Sequence, residues 1–292
     1  MNSIAFSCIV DRPPYLMAQT YVWVRCLLEI RQIAPENIFV HTTGIADPEF
    51  LPWLESLGVN VVQVTPFDPR SPHCNKICQL DTFADAKFDQ VVLMDCDTAW
   101  VGDAPIPRGE PVAGKIVDNA RPPESVLIGI FHAAGLGEPN WVEVSLPKGE
   151  DRSKSDCNNL NGGLYILHGE FADKLNPVWR RWATWCLDNR DSFARFALKP
   201  VTRPTGNAAD GSMAFPRVEG RPLVPVDQVS FALALRELGV MATQLPIEWN
   251  YPTYSAALPD VRPQIIHYSR HFDPPFKLHK TGIARPDRAI DT

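Results

Sequence analysis

Val91-Val92-Leu93-Met94-Asp95-Cys96-Asp97 carries four apolar residues straight into two carboxylates one residue apart. Such a run, bounded by polar residues, predicts a strand buried on both faces, as inside a parallel sheet. In an open α/β sheet, ligands bind in the crevice beyond the carboxyl ends of the strands. Asp95 and Asp97 therefore fall where a site is expected. Carboxylate oxygens suit Mg2+ or Mn2+, and an ion held this way keeps coordination positions for substrate phosphates. The plainer alternative is that both aspartates are turn residues ending a strand, a common use of Asp.

Toward the N-terminus, strand and helix alternate. Ile4–Val10 is a predicted buried strand, followed by a helix over Tyr15–Ile33 with Met17, Tyr21, Val24, Leu27 and Leu28 at helical spacing. Ile38–Val40 is a second strand. Asp47-Pro48 offers an N-cap and a Pro at the first helical position, and Gly58 ends that helix. Val59–Val64 is a third strand, and a helix carrying Lys76, Ile77, Leu80, Phe83 and Ala84 leads to the Val91 strand. This alternation argues for a mostly parallel sheet with right-handed crossovers.

Downstream the pattern loosens. Pro111–Val117 is a predicted strand, Glu124–Ala134 a helix, Trp141–Leu146 an edge or hairpin strand and Lys148–Asn159 a polar loop. Gly163–Leu167 is a strand introduced by Asn161-Gly162-Gly163, and the helix Phe171–Leu187 puts Phe171, Leu175, Val178, Trp182 and Trp185 on one face, read as core packing. Lys199–Pro225 is rich in Pro and Gly without a period, the mark of a functional or disordered loop. Asp227 is a predicted cap of a helix to Leu238, followed by strands near Met241–Leu245 and Gln264–Tyr268 and an aromatic, basic tail.

The 292 residues suffice for one large domain or two modest ones, and 45% hydrophobic with 21% charged residues is ordinary for a globular protein. A net charge of −6 argues against nucleic acid as the main partner. No run of about 18 apolar residues could span a bilayer, and Met1-Asn2-Ser3-Ile4 lacks the basic flank of a secretory signal. Seven scattered cysteines, with Cys74 and Cys78 the nearest pair and no second pair to complete a zinc site, predict free thiols in a reducing cytoplasm.

Several further positions carry chemistry. His267 ends the apolar run Ile265-Ile266, and imidazole suits Mn2+ better than Mg2+; a lone His at a strand end is otherwise a hydrogen-bonded core residue. Lys76, at a helix start, could neutralise diphosphate charge, and the plain reading is a surface lysine. Gly162 and Gly163 allow close approach to the backbone, or simply form a turn. Asp227-Gln228 could hold sugar hydroxyls or a developing positive charge, or form an N-cap.

In order, Tyr15, Lys76, Asp95-Cys96-Asp97, Asn161-Gly162-Gly163, Asp227-Gln228, Trp249-Asn250 and Ile266-His267-Tyr268 resemble the nucleotide-sugar glycosyltransferases of the GT-A fold. The likeness is to glycosyltransferase family 8, the glycogenin and lipopolysaccharide galactosyltransferase group, and is most specific in NKICQLDTFADAKFDQVVLMDCDTAWVGD, NGGLYILH and IIHY. The resemblance implies an α/β, Rossmann-like GT-A fold with a central mixed, mostly parallel sheet flanked by helices. It would occupy 1–292 as a single domain, with a nucleotide-binding half over 1–107. The sugar and acceptor half over 108–292 would include the loop 199–225 and the C-terminal tail. It implies Mn2+ (or Mg2+) on Asp95, Asp97 and His267, gripping the diphosphate of a nucleoside-diphosphate sugar of the UDP-sugar kind and assisting departure of the nucleotide. It places Tyr15 on the nucleobase with the strand end Cys8–Val10 along it. Lys76 falls on the phosphates, and Cys96 within the Asp-x-Asp turn. Asn161, Gly162, Gly163, Asp227 and Gln228 fall around the donor sugar, with Gln228 nearest the reacting carbon. Transfer of a hexose with retention is implied, without a named nucleophile, onto a carbohydrate, lipid-linked or protein acceptor. This sequence departs from the family at its second C-terminal lysine, which sits there in a Lys-Pro-Trp context; here Arg270 or Lys277 could take that role.

Two other readings compete. Asp95-x-Asp97 also fits the nucleophile motif of haloacid dehalogenase-type phosphatases, but that motif normally ends the first strand of its domain, whereas three strand–helix units precede it here. A catalytically degenerate nucleotide-sugar-binding protein would keep the same fold.

Overall fold

The computed structural model describes residues 3–44, 47, 49–84, 88–144, 153–202, 216–218, 221–253 and 260–268. In chain order these form β1 (Ile4–Val10), α1 (Pro14–Arg25), β2 (Ile38–Thr42), α2 (Phe50–Ser56), β3 (Asn60–Gln63), a 3-10 helix (Pro72–Thr82), β4 (Gln90–Asp95), β5 (Thr98–Trp100), β6 (Val112–Ile116) and α3 (Glu124–Ala133). There follow β7 (Trp141–Val144), β8 (Ser153–Asp156), β9 (Leu160–His168), α4 (Gly169–Asn189), β10 (Arg217–Val218), β11 (Arg221–Pro222), α5 (Val226–Glu237), β12 (Thr243–Gln244), β13 (Tyr251–Pro252) and β14 (Ile265–His267).

Seven strands make the central sheet in the order β12-β6-β9-β4-β1-β2-β3. β1 pairs in parallel with β2 and β4, β2 with β3, and β12 with β6, while β9 runs antiparallel between β4 and β6. The sheet is mixed and mostly parallel, as expected. The chain moves outward from β1 through β2 to β3, then returns to place β4 on the other side of β1. That reversal is the topological switch point, where an open α/β sheet leaves a crevice at its strand ends. The register sets Ile9 of β1 beside Asp95 of β4 at that point.

Alternation along the strands separates two cores. Val91 and Leu93 face the 3-10 helix, α3, α4 and α5, whereas Val92 and Met94 face α1, α2 and the bulky Trp100 and Trp249. All four are essentially inaccessible to water, and each contributes on the order of 2 kcal/mol by burial. Trp179 of α4, Tyr165 of β9 and Phe231 of α5 form one aromatic cluster, with Tyr165 stacked on Phe231 at 4.2 Å between centroids. The face predicted for α4 is core, with Phe171 and Leu175 buried and Val178, Trp182 and Trp185 packed against them.

Several elements differ from expectation. The first helix leaves α geometry at Cys26, winds as a π turn to Ile30 and ends at Arg31. The Lys76 segment is a 3-10 helix of 11 residues rather than an α-helix. Ser153–Asp156, expected in a polar loop, pairs antiparallel with β7 as a hairpin. The strand bearing the two glycines begins at Leu160 rather than Gly163, so Asn161 and Gly162 also lie inside it. Asp227 sits within the first turn of α5; Pro225 holds the cap position, and no side chain caps the helix. Within the long loop, β10 and β11 pair as a short hairpin, while 203–215, 219–220 and the tail from 269, including Arg270 and Lys277, lie outside the described residues. All seven cysteines are free thiols. No helix among the described residues is long and apolar enough to cross a membrane.

Candidate metal centre

Asp95 closes β4, and Asp97 follows in a tight turn that Thr98 Oγ1 fastens by donating to the Asp95 carbonyl at 2.7 Å. β5 then runs antiparallel to β14 with Thr98 opposite His267. The Tyr268 amide donates to the Asp97 carbonyl at 3.1 Å. This small second sheet, β13-β14-β5, carries a residue from near the end of the chain to the turn after β4. His267 Nε2 lies 3.2 Å from Asp97 Oδ1 and 4.0 Å from Asp95 Oδ2. One ligand atom from each of the three falls within 4.8 Å of the others, among the described residues the one such trio of metal-capable groups.

Alternation after Val91 and Leu93 turns Asp95 toward the α4/α5 side, where Lys76 waits. The buried Lys76 ammonium pairs with Asp95 and also donates to the Gly162 carbonyl, lying 5.4 Å from the centre of the Tyr165 ring. Its 3-10 helix is pinned by β1, β2 and the residue that follows β1. Ser7 Oγ donates to Gln79 Oε1 at 2.6 Å, His41 Nε2 meets Thr82 Oγ1 at 2.7 Å, and Asn75 Nδ2 donates to Asp11 Oδ1 at 3.1 Å. Asp227 is brought opposite by α5, whose first turn is held where Trp179 Nε1 donates to the Asp227 carbonyl at 3.1 Å and to Ser230 Oγ at 3.0 Å.

Charge dominates the electrostatics. Burial alone would lower the Lys76 ammonium, but Asp95 and Asp227 outweigh it and hold Lys76 above its ordinary value. Burial would likewise lower His267, and Asp97 reverses the sign, so the imidazole is raised. Burial pushes the Asp95 carboxyl up against the pull of Lys76, whereas His267 overcomes burial at Asp97 and holds it low. The pocket thus gathers negative charge that the chain's own cations balance. Two carboxylates and an imidazole fit a Mn2+-type ion. The Asp95 side chain is 33% exposed, so the trio is open on one side, as a site that keeps positions for substrate must be.

Gly162 and Gly163 have a specific steric role. A Cβ at Gly163 would stand 2.6 Å from His267 Nδ1 and 2.9 Å from Asn250 Nδ2. One at Gly162 would stand 2.9 Å from Lys76 Nζ, 3.3 Å from Asp227 Oδ2 and 3.5 Å from Gln228 Nε2. The groups that come close to this backbone are the protein's own polar side chains; the glycines let them converge. Asn161 lies at the same place, with its Oδ1 accepting from the Gly163 amide at 3.0 Å.

The structure thus brings together Lys76, Asp95, Asp97, Asn161, Gly162, Gly163, Asp227, Gln228 and His267. The side chains of Cys8, Val10 and Cys96 point elsewhere, into the α1/α2 core; from those positions only backbone can face a ligand. Tyr15 stands half-exposed in the first turn of α1. The sequence reading passes over Lys115 and Asp118, a buried ion pair whose carboxylate accepts from Asn161 Nδ2 at 3.0 Å. A looser form of the rule that marked Asp95 would have found Asp118, since the predicted strand Pro111–Val117, interrupted by Lys115, also runs into a carboxylate. Asn250 carried no role in sequence, and only its place beside His267 supplies one.

No protein-family model matches the chain, and no curated protein matches its sequence. Among solved structures, the apo form of the bifunctional glycosyltransferase WbbM aligns over 92% of this chain and 46% of its own, with a TM-score of 0.48 and 13% identity. The chain therefore spans about half the length of that protein.

Proposed function

We propose that this protein is a metal-dependent glycosyltransferase that moves a hexose from a nucleoside-diphosphate sugar, most simply a UDP-sugar, to an acceptor, with retention of configuration. The observation that carries the reading is the convergence of Asp95, Asp97 and His267 with Lys76 and the glycine pair at the switch point of the sheet. The ordered resemblance of those residues to GT-A enzymes supports it.

In this reading Asp95, Asp97 and His267 hold Mn2+ or Mg2+, and the ion supplies charge stabilisation to the departing diphosphate. Lys76 is buried and charged, so it neutralises phosphate without the cost of desolvating a mobile side chain. Asp227 and Gln228 face Gly162 and position the donor sugar, with Gln228 beside the reacting carbon. Tyr15, exposed in the first turn of α1, lies against the nucleobase, and the backbone at the end of β1 runs along it. Lys277 is the proposed second phosphate contact from the tail.

Calorimetry with UDP and GDP, with and without Mn2+, tests the reading. Metal-dependent nucleotide binding is expected, and equal affinity in both conditions refutes it. Gln228→Ala should abolish donor turnover while keeping nucleotide affinity; undiminished turnover removes Gln228 from the mechanism.

A further inference from the structure

His267 presents Nε2 to the aspartates because something holds its other nitrogen, and the hydrogen bonds around it run on without a gap. His267 Nδ1 lies 3.0 Å from Asn250 Oδ1. Asn250 Nδ2 donates to Asn161 Oδ1 at 3.1 Å, and Asn161 Nδ2 donates to Asp118 Oδ2 at 3.0 Å. Asp118 Oδ1 accepts from the ammonium of Lys115, which also donates to the Ile116 carbonyl at 3.2 Å. The register of β6 slips between Gly114 and Ile116, a bulge of the kind that re-aims a side chain beside a site, and Lys115 is the residue in the slip. Lys115, Asp118 and Asn250 are all buried.

The direction of this chain is dictated at one end. A carboxylate paired with an ammonium can only accept. Asn161 must therefore turn its NH2 toward Asp118, which leaves its oxygen to accept from Gly163 and from Asn250. Asn250 then has its NH2 committed, and its oxygen faces His267. An oxygen can only accept, so Nδ1 carries the hydrogen, and the neutral ring is left with its lone pair on Nε2, facing Asp95 and Asp97. We propose that Asn250 is a positioning residue for the metal centre, and that the Lys115–Asp118 pair sets its orientation through Asn161, fixing His267 as an Nε2 ligand. Outer partners that fix a ligating histidine in this way typically control metal affinity by about 10- to 100-fold. The inference rests on the metal reading of Asp95, Asp97 and His267 and adds to it the residues that make His267 a ligand.

The test is Mn2+ affinity of the nucleotide-free protein, by calorimetry and by loss of the free-ion paramagnetic resonance signal, in the wild type, Asn250→Leu, Asn250→Asp and Asp118→Asn. Asn250→Leu keeps the branched shape and removes the acceptor, and should weaken Mn2+ binding by about 10- to 100-fold. Asn250→Asp keeps an acceptor against Nδ1 but sets a second acceptor against Asn161 Oδ1, so it should recover part of the affinity that Asn250→Leu loses. Asp118→Asn leaves one acceptor oxygen for two donors and should weaken binding several-fold, far from the ion and with circular dichroism unchanged. Wild-type affinity in Asn250→Leu overturns the inference and leaves the metal reading standing. A loss in Asn250→Asp as large as in Asn250→Leu marks mere packing and overturns it too. If Asn250→Leu does not fold, Asp118→Asn decides: unchanged affinity there overturns the relay. A wild type that binds no Mn2+ removes the metal reading and this inference together.

Discussion

His41 is a fully buried histidine whose protonation should cost the fold a calculable amount. Burial pushes its pKa from the ordinary 6.5 down to about 4, despite the helpful Cys8 carbonyl and the distant Asp81 charge. Its hydrogen bonds explain the neutral ring. Ser7 Oγ spends its proton on Gln79 Oε1, so at 3.1 Å it accepts from His41 Nδ1, and Nε2 is left to accept from the Thr82 hydroxyl. The unfolded chain takes up the proton near 6.5 and the folded chain only near 4, so between them the unfolded state binds more protons and stability falls as pH falls. A depression of about 2.5 units at 1.36 kcal/mol each gives about 3 kcal/mol lost below pH 4, of which about 2 kcal/mol is lost by pH 5. The penalty falls on the 3-10 helix that carries Lys76. Urea unfolding of the wild type and His41→Gln across this range isolates the effect, because other titrating groups cancel in the difference. His41→Gln should be the less stable protein at pH 8, with the gap closing by about 2 kcal/mol at pH 5. A gap that stays constant with pH refutes the buried neutral imidazole.

Two further perturbations probe the site directly. Gly163→Ala drives a Cβ into His267 and Asn250, neither of which has slack, and should weaken Mn2+ binding about tenfold or more; Gly162→Ala meets chiefly the flexible tip of Lys76 and should spare the metal while weakening nucleotide diphosphate binding. Equal metal affinity in both variants would contradict the steric argument. Lys76→Met leaves Asp95 without its buried partner and should destabilise the protein by about 2 kcal/mol, less than a fully buried pair because Asp95 is one-third exposed. Added Mn2+ should restore part of that stability in thermal unfolding, and a variant as stable as the wild type with and without metal would show that Lys76 balances no charge there.

Much was legible in the sequence because the decisive signals are local. The run Val91–Met94 needs both faces buried whatever its neighbours, and alternating strand and helix permits few ways to build a sheet. Those facts determined the mostly parallel sheet, the strand-end place of Asp95 and Asp97 and the core role of the α4 tryptophans. Where propensity was weak, tertiary context prevailed. The Lys76 segment is wound as a 3-10 helix and anchored by Ser7 of β1, His41 of β2 and Asp11 just beyond β1, and Ser153–Asp156 becomes a strand only because β7 offers it an edge.

Site membership was the part that only the tertiary structure decided. The resemblance places Cys8, Val10 and Cys96 along the nucleotide, but strand alternation at Cys8 and Val10 and the turn at Cys96 direct their side chains into the core. The glycines read locally as turn formers, and their real role is steric room for side chains from the 3-10 helix, α5 and β14. Nothing in the spacing of Lys115, Asp118, Asn161, Asn250 and His267 announces a chain of hydrogen bonds. It exists because β6, β9 and the strand pair β13–β14 end at one place, and hydrogen-bond direction, set by a carboxylate that can only accept, passes through space rather than along the sequence.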